Sequence, residues 1–224
     1  MSESDPSAFR LALVQMHCVP ERERNIAAAK RAVARVAKRG ADLCVLPELF
    51  TNRYVGQFND AAAIRARFPD PVWLLEDFRD VARNLSTPLV VPYPETLDSD
   101  TCYNALAVID ADGTVLARYR KIHIPDEEGY REDLYFRPGD LGYVVAPVRG
   151  LRLGVAICWD QWFPEVARIL ALRGAQLIVY PSAIGSEVVA PDFDSRPDWE
   201  LVMRAHAITN RVFVAALNRV GPEE

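Results

Sequence analysis

The sequence predicts an α/β fold, a mixed sheet flanked by helices, on three observations. Short apolar runs alternate with longer amphipathic segments along the chain. Several of those runs lack polar alternation, as strands covered on both faces do. Two junctions read as hairpins, so antiparallel pairing is mixed with parallel.

Residues 9–16 are rich in aliphatics and read as the first strand; after Pro20 a helical run over 21–39 ends at Gly40. Basic residues cluster between Lys30 and Arg39, but they alternate with Ala and Val at helical spacing, the pattern of a solvated helix face. Leu43-Cys44-Val45-Leu46 reads as a buried strand that Pro47 closes, so Glu48 directly follows a strand end. A helix over 71–84 starts with proline in its first turn, and 88–92 forms another buried strand. Residues 103–109 and 114–120 flank Asp110-Ala111-Asp112-Gly113, where Asp-Gly supplies the positive φ angles of a tight turn. Lys121 follows the second arm of that hairpin. From 122 to 141 Pro, Gly, acids and aromatics mix without a period, which reads as a long ordered loop of the kind that carries function. Strands over 143–148 and 151–157 pair around Arg149-Gly150, a helix covers 164–173, and a buried strand over 176–180 stops at Pro181. A helix over 197–210 and a strand over 212–217 complete the series.

The 224 residues, half hydrophobic and a quarter charged, suffice for one globular domain with a sizeable core. A net charge of -5, with basic residues scattered among acids, argues against a nucleic-acid partner. No stretch reaches the roughly 20 apolar residues of a membrane helix, and the polar N-terminus is unlike a secretory signal; both predict a cytoplasmic protein without a membrane partner. Cys18, Cys44, Cys102 and Cys158 lie far apart without C-x-x-C spacing, so reduced thiols are expected rather than a zinc site or a disulfide framework.

Cys158 stands where the apolar strand ending at Ile157 gives way to a helix whose first turn holds Pro164 and Glu165. A side chain at such a junction projects from the sheet edge into a crevice. Amide dipoles at a helix start would also favour thiolate, below the usual free-cysteine value of about 8.5. Glu48 likewise follows the carboxyl end of a buried strand, where open α/β sheets place ligand sites, and partial burial would make it a stronger base. Lys121 offers positive charge of the kind an amide hydrolase needs where a carbonyl oxygen becomes an oxyanion. Each has an ordinary alternative: a core thiol, a surface carboxylate, a surface lysine. His123, beside Lys121, leaves a Cys-His dyad open.

Together, Leu46-Pro47-Glu48-Leu49-Phe50, Tyr119-Arg120-Lys121-Ile122-His123-Ile124-Pro125 and Gly154-Val155-Ala156-Ile157-Cys158-Trp159-Asp160 resemble, in this order, the three signature segments of the carbon-nitrogen hydrolase (nitrilase) superfamily. The resemblance implies a triad of Glu48 as base, Lys121 as stabiliser and Cys158 as nucleophile, assisted by Glu132 in the loop after the lysine. It also implies a four-layer α-β-β-α sandwich, a small-molecule amide substrate, homo-oligomeric assembly, and no metal or organic cofactor. A further likeness, through Lys121-Ile122-His123-Ile124-Pro125-Asp126, Tyr135-Phe136-Arg137-Pro138-Gly139-Asp140 and Trp159-Asp160-Gln161-Trp162-Phe163-Pro164-Glu165, is to the N-carbamoylputrescine amidohydrolase subfamily. This implies cleavage of a carbamoyl amide, N-carbamoylputrescine going to putrescine, carbon dioxide and ammonia. Another N-carbamoyl compound, a β-ureido acid or an ω-amide is the alternative substrate. The backbone N–H near Trp159 would then help stabilise the oxyanion, and Glu187 and Asp194, beyond Pro181, would hold a cationic amine tail. Family members usually continue past the equivalent of Asn218-Arg219-Val220-Gly221, so the single domain over 1–224 is expected to lack a C-terminal part. An inactive binding or regulatory protein is the alternative from another class.

Overall fold

The computed structural model describes residues 8–58, 60, 66, 68–98, 101–186, 190 and 192–222. Its first sheet contains, in spatial order, β1 (Leu11–Leu13), β2 (Leu43–Val45), β3 (Leu89–Thr96), β4 (Cys102–Ile109) and β5 (Val115–Arg120). The first three run parallel, and β3, β4 and β5 form an antiparallel meander. The second sheet contains β6 (Val144–Val148), β7 (Leu151–Val155), β8 (Leu177–Ser182) and β9 (Phe213–Asn218), with β6 antiparallel and the others parallel. The α-helices described are α1 (Arg22–Ala37), α2 (Pro71–Leu85), α3 (Pro164–Leu172) and α4 (Arg196–Asn210).

Successive strand residues point to opposite faces, and the packing follows that period of two. Leu43, Val45, Val90, Leu106 and Val108 meet Ala146, Val148, Leu153 and Val155 of the second sheet in one core. Their neighbours Cys44, Leu89, Val91 and Ala107 pack with Ala29 and Val33 of α1 and Leu74 and Phe78 of α2. On the far side of the second sheet Gly154 admits α3 closely: a Cβ there would lie 3.3 Å from that of Leu170 and 3.1 Å from that of Ala175. With α4 against α3 and β9, the layers are α-β-β-α, the sandwich that the family resemblance implied.

Local chemistry sets the element ends. Asp70 accepts a hydrogen bond from Trp73 N at 2.8 Å, Pro71 opens α2, and Ser86 leaves it with φ 48°. Arg149 and Gly150, with φ 45° and 81°, make the two-residue turn with both φ positive that joins β6 to β7. At the other hairpin only Gly113 takes positive φ, after a turn closed by its N–H on Asp110 O at 2.9 Å.

Three expectations shift. The first strand is short, Leu11–Leu13, continued by one bond from Val14 N to Val45 O. The loop over 122–141 contains a 3-10 turn at Glu132–Leu134. Neither Pro92 nor Pro181 ends its strand: β3 runs to Thr96 and β8 to Ser182. Leu46 N donates to Val90 O and Ala156 N to Val179 O. By backbone alternation the nitrogens of Pro92 and Pro181 therefore face the sides where β2 and β7 have already ended, and no ladder bond is lost.

Candidate active site

Glu48, Lys121 and Cys158 follow the carboxyl ends of β2, β5 and β7, and the two facing sheets bring those ends together. Lys121 is fully buried, with Nζ 2.8 Å from Glu48 Oε1 and 2.8 and 2.9 Å from the two oxygens of Glu132. Asn104, buried on β4, donates to Glu48 Oε1 at 2.7 Å and Glu132 Oε2 at 3.1 Å. The Tyr54 hydroxyl donates to Glu132 Oε1 at 2.8 Å. The hairpin register places Lys121, whose N–H bonds Asn104 O at 2.8 Å.

Cys158, 6% exposed, has φ 42° and opens a 3-10 turn, Cys158–Trp162, that separates β7 from α3. Such positive φ in a non-glycine residue is strained backbone of the sort found at functional sites. Asp160, fully buried, fastens the turn. Its Oδ2 accepts from Ile157 N at 3.0 Å and the Tyr119 hydroxyl at 2.7 Å; its Oδ1 meets His123 N at 3.0 Å and His123 Nδ1 at 2.7 Å. His123 thus faces Asp160 and stacks on Phe163, with ring centroids 3.6 Å apart, so this geometry favours the glutamate over a Cys-His dyad.

The electrostatics are those of a buried site. Burial would pull Lys121 down, but attraction by Glu132 and Glu48 pushes it above its ordinary value, and the ammonium persists. Burial raises Glu48, and Glu132 adds to that against the lowering by Lys121. For Cys158 the expectation of a favoured thiolate is corrected. Burial, reinforced by Glu48 and Glu132, pushes the thiol well up, against smaller lowering by Lys121 and a hydrogen bond with the Ala183 backbone. The resting sulfur is a thiol because the 3-10 turn gives it no α-helix dipole and the adjacent carboxylates oppose a second negative charge.

Cys158 and Glu132 border a cavity of about 260 Å³ walled by Tyr54, Trp159, Trp162 and Phe193. Glu127 and Asp198 also line it, and no Lys or Arg does among the described residues. A larger space of about 430 Å³ shares Tyr54 and Ile184 but does not include Cys158 in its lining. Of the expected tail-binding acids, Glu187 lies outside the described residues. Asp194 is exposed, paired with Arg196 at 2.6 Å, and does not line the cavity. Its hydrogen bonds to Arg196 hold its carboxyl down at about 2. Sequence reasoning missed Asn104, Tyr54, Glu127 and Asp198. Asn104 had a signal, a lone amide amid the apolar residues of Ala105-Leu106-Ala107-Val108-Ile109; the two loop acids and Tyr54 had none.

Comparison with known proteins shows the family. Residues 10–224 match the model of the family described as carbon-nitrogen hydrolase. The chain is 41% identical to the N-carbamoylputrescine amidase of Solanum lycopersicum, over 95% of this chain and 71% of that protein. It is 38% identical to the citrullinase of Francisella tularensis, over 96% and 75% respectively. A solved structure of a mutant amidase from Nesterenkonia sp. AN1, showing covalent addition of the acetamide moiety of fluoroacetamide at its active site cysteine, is similar with a TM-score of 0.81 and 27% identity, covering 96% of this chain and 77% of that one. Since the family's pattern runs through nearly all of the chain and its sandwich is the one observed, the chain belongs to the carbon-nitrogen hydrolase family.

Proposed function

We propose that the chain is a cysteine-dependent amidohydrolase that cleaves the carbamoyl C–N bond of an N-carbamoyl amine with a cationic tail, N-carbamoylputrescine being the reference substrate. The observation that carries this reading is the cavity: the Cys158 thiol and Glu132 in its lining, with Lys121 bonded to Glu132 and to Glu48 behind it, further acids in its wall, and no basic side chain among its described lining. The names of similar proteins support the carbamoyl group as the reacting unit.

Glu48 takes the thiol proton as Cys158 sulfur bonds to the carbamoyl carbon. Lys121 and the N–H near Trp159 stabilise the oxyanion. The C–N bond to the amine then breaks, and Glu48 returns the proton to the departing nitrogen. Water, deprotonated by Glu48, attacks the thiocarbamate; sulfur leaves and regains a proton, and the carbamate breaks down to carbon dioxide and ammonia. Glu132, bound to Lys121, Asn104 and Tyr54, keeps the ammonium in place.

A carboxylate-bearing substrate, such as a β-ureido acid or citrulline, would need a cationic partner that the described wall lacks. The test is a panel of N-carbamoylputrescine, citrulline, a β-ureido acid and an ω-amide, read by amine and ammonia release and by intact mass after a brief quench. Turnover of the cationic carbamoyl amine with a carbamoyl adduct on Cys158, absent from Cys158→Ala, is expected. Absence of any adduct would make the chain a binding protein instead.

We also propose a homo-oligomer, supported by the exposure of Leu172 at 78%, Ile208 at 74% and Phe213 at 77% on α3, α4 and the edge strand β9. Light scattering that found only monomer would overturn it. A cytoplasmic location is proposed from four buried free cysteines; among the described residues no helix is long and apolar enough to cross a membrane. Localisation of a tagged chain outside the cytoplasm would refute it.

A further inference from the structure

We propose that Asn104 is a positioning residue that sets the proton-accepting atom of Glu48, committing Oε1 and leaving Oε2 to take the proton of Cys158. This rests on the reading of Glu48 as base.

Asn104 stands on the face of β4 turned toward the second sheet, in step with Leu106 and Val108. Its Nδ2 carries two protons, and two carboxylate oxygens receive them: Glu48 Oε1 at 2.7 Å and Glu132 Oε2 at 3.1 Å. The reverse amide orientation would set Oδ1 against both carboxylates, so the chemistry fixes which end of the amide faces them. Asn104 Oδ1 itself is buried without a hydrogen-bond partner among the described residues, which marks the amide as kept for its donors. Glu48 Oε1 also accepts from Lys121 Nζ at 2.8 Å, whereas buried Oε2 has no partner among the described residues. Oε1 is thus stabilised as an anion by two donors, and Oε2 keeps the free lone pairs that a base requires.

The groups that face Glu48 are Lys121 at the end of β5, Glu132 on its loop, Cys158 on its turn and the Tyr54 hydroxyl. Removing Asn104 withdraws one donor from each glutamate and leaves Lys121 as the donor they share. A lost hydrogen bond to the charged form raises the pKa of the base.

The test is the pH profile of kcat/KM for the whole chain with N-carbamoylputrescine, comparing wild type with Asn104→Leu and Asn104→Asp. The first removes the donors at similar size; the second replaces them with a further acid. In both the acid limb should move up by about one pH unit or more, with kcat/KM at pH 7 down about tenfold to a hundredfold and KM little changed, since Asn104 is not in the cavity wall. A general packing defect would lower the rate without moving the limb. An unmoved limb in either folded variant removes this inference alone. Failure of both variants to fold assigns Asn104 a structural task and removes it too. No turnover by the wild-type chain removes the amidase reading and this inference with it.

Discussion

Replacing Lys121 by methionine should cost stability in a pH-dependent way. The ammonium is fully buried and lies within 2.9 Å of three carboxylate oxygens on Glu48 and Glu132. Methionine fills similar space but leaves two buried carboxylates with Asn104 as a shared donor. Removing one partner of a buried ion pair costs about 3–5 kcal/mol. At this chain length each kcal/mol moves Tm by about 2–4 °C, so a fall of roughly 6–20 °C is expected at pH 8. The sign with pH follows from Glu48. Burial and Glu132 already hold it above the ordinary carboxylate value in the folded chain, and loss of Lys121 raises it further. A group raised on folding contributes its stability below the unfolded value and loses it as pH rises through the folded value. Lys121 itself, raised on folding, stays charged throughout the range, so it adds no slope of its own. The Tm gap between wild type and Lys121→Met should therefore be smallest near pH 5 and grow toward pH 8, measured by thermal circular dichroism at unit steps of pH. A gap that is constant, or that shrinks as pH rises, would refute the charge assignment.

Other outcomes follow from the same geometry. Alkylation of Cys158 by iodoacetamide, followed by intact mass, should be slow at pH 7 and still accelerating at pH 8, because burial raises the thiol; a rate flat from pH 5 to 8 would mean a resting thiolate. The double change Glu127→Gln with Asp198→Asn should raise KM for N-carbamoylputrescine about tenfold while leaving an uncharged carbamoyl amine unaffected, and equal effects on both would remove these acids from tail recognition. Asp194→Asn should change that KM less than twofold, since Arg196 already occupies the carboxylate; a tenfold rise would reinstate it. Gly139→Ala should lower Tm by about 2–12 °C, because the added Cβ would collide with Arg120 O where the loop is tied to Lys121; unchanged Tm would mean that the backbone there yields freely.

Most of the scaffold was legible because it depends on local pattern. Unbroken apolar runs at 43–46 and 88–92 announced strands buried on both faces, and Pro71 and Asp-Gly announced a helix start and a hairpin. Order along the chain also exposed Glu48, Lys121 and Cys158, since each lies just beyond the carboxyl end of a strand. Tertiary structure decided how these ends meet. Residues 48, 121 and 132 share one buried ion cluster because β2 and β5 belong to one sheet and the loop after β5 folds back to them, and no one-dimensional pattern encodes those distances. It also decided that prolines at 92 and 181 continue their strands, since what a proline costs depends on whether a neighbour lies on its nitrogen side. The charge state of Cys158 belonged to the fold as well. Strand-then-helix suggested a thiolate, whereas burial beside two glutamates leaves a thiol, because desolvation and like charge outweigh the lowering by Lys121 and the Ala183 backbone.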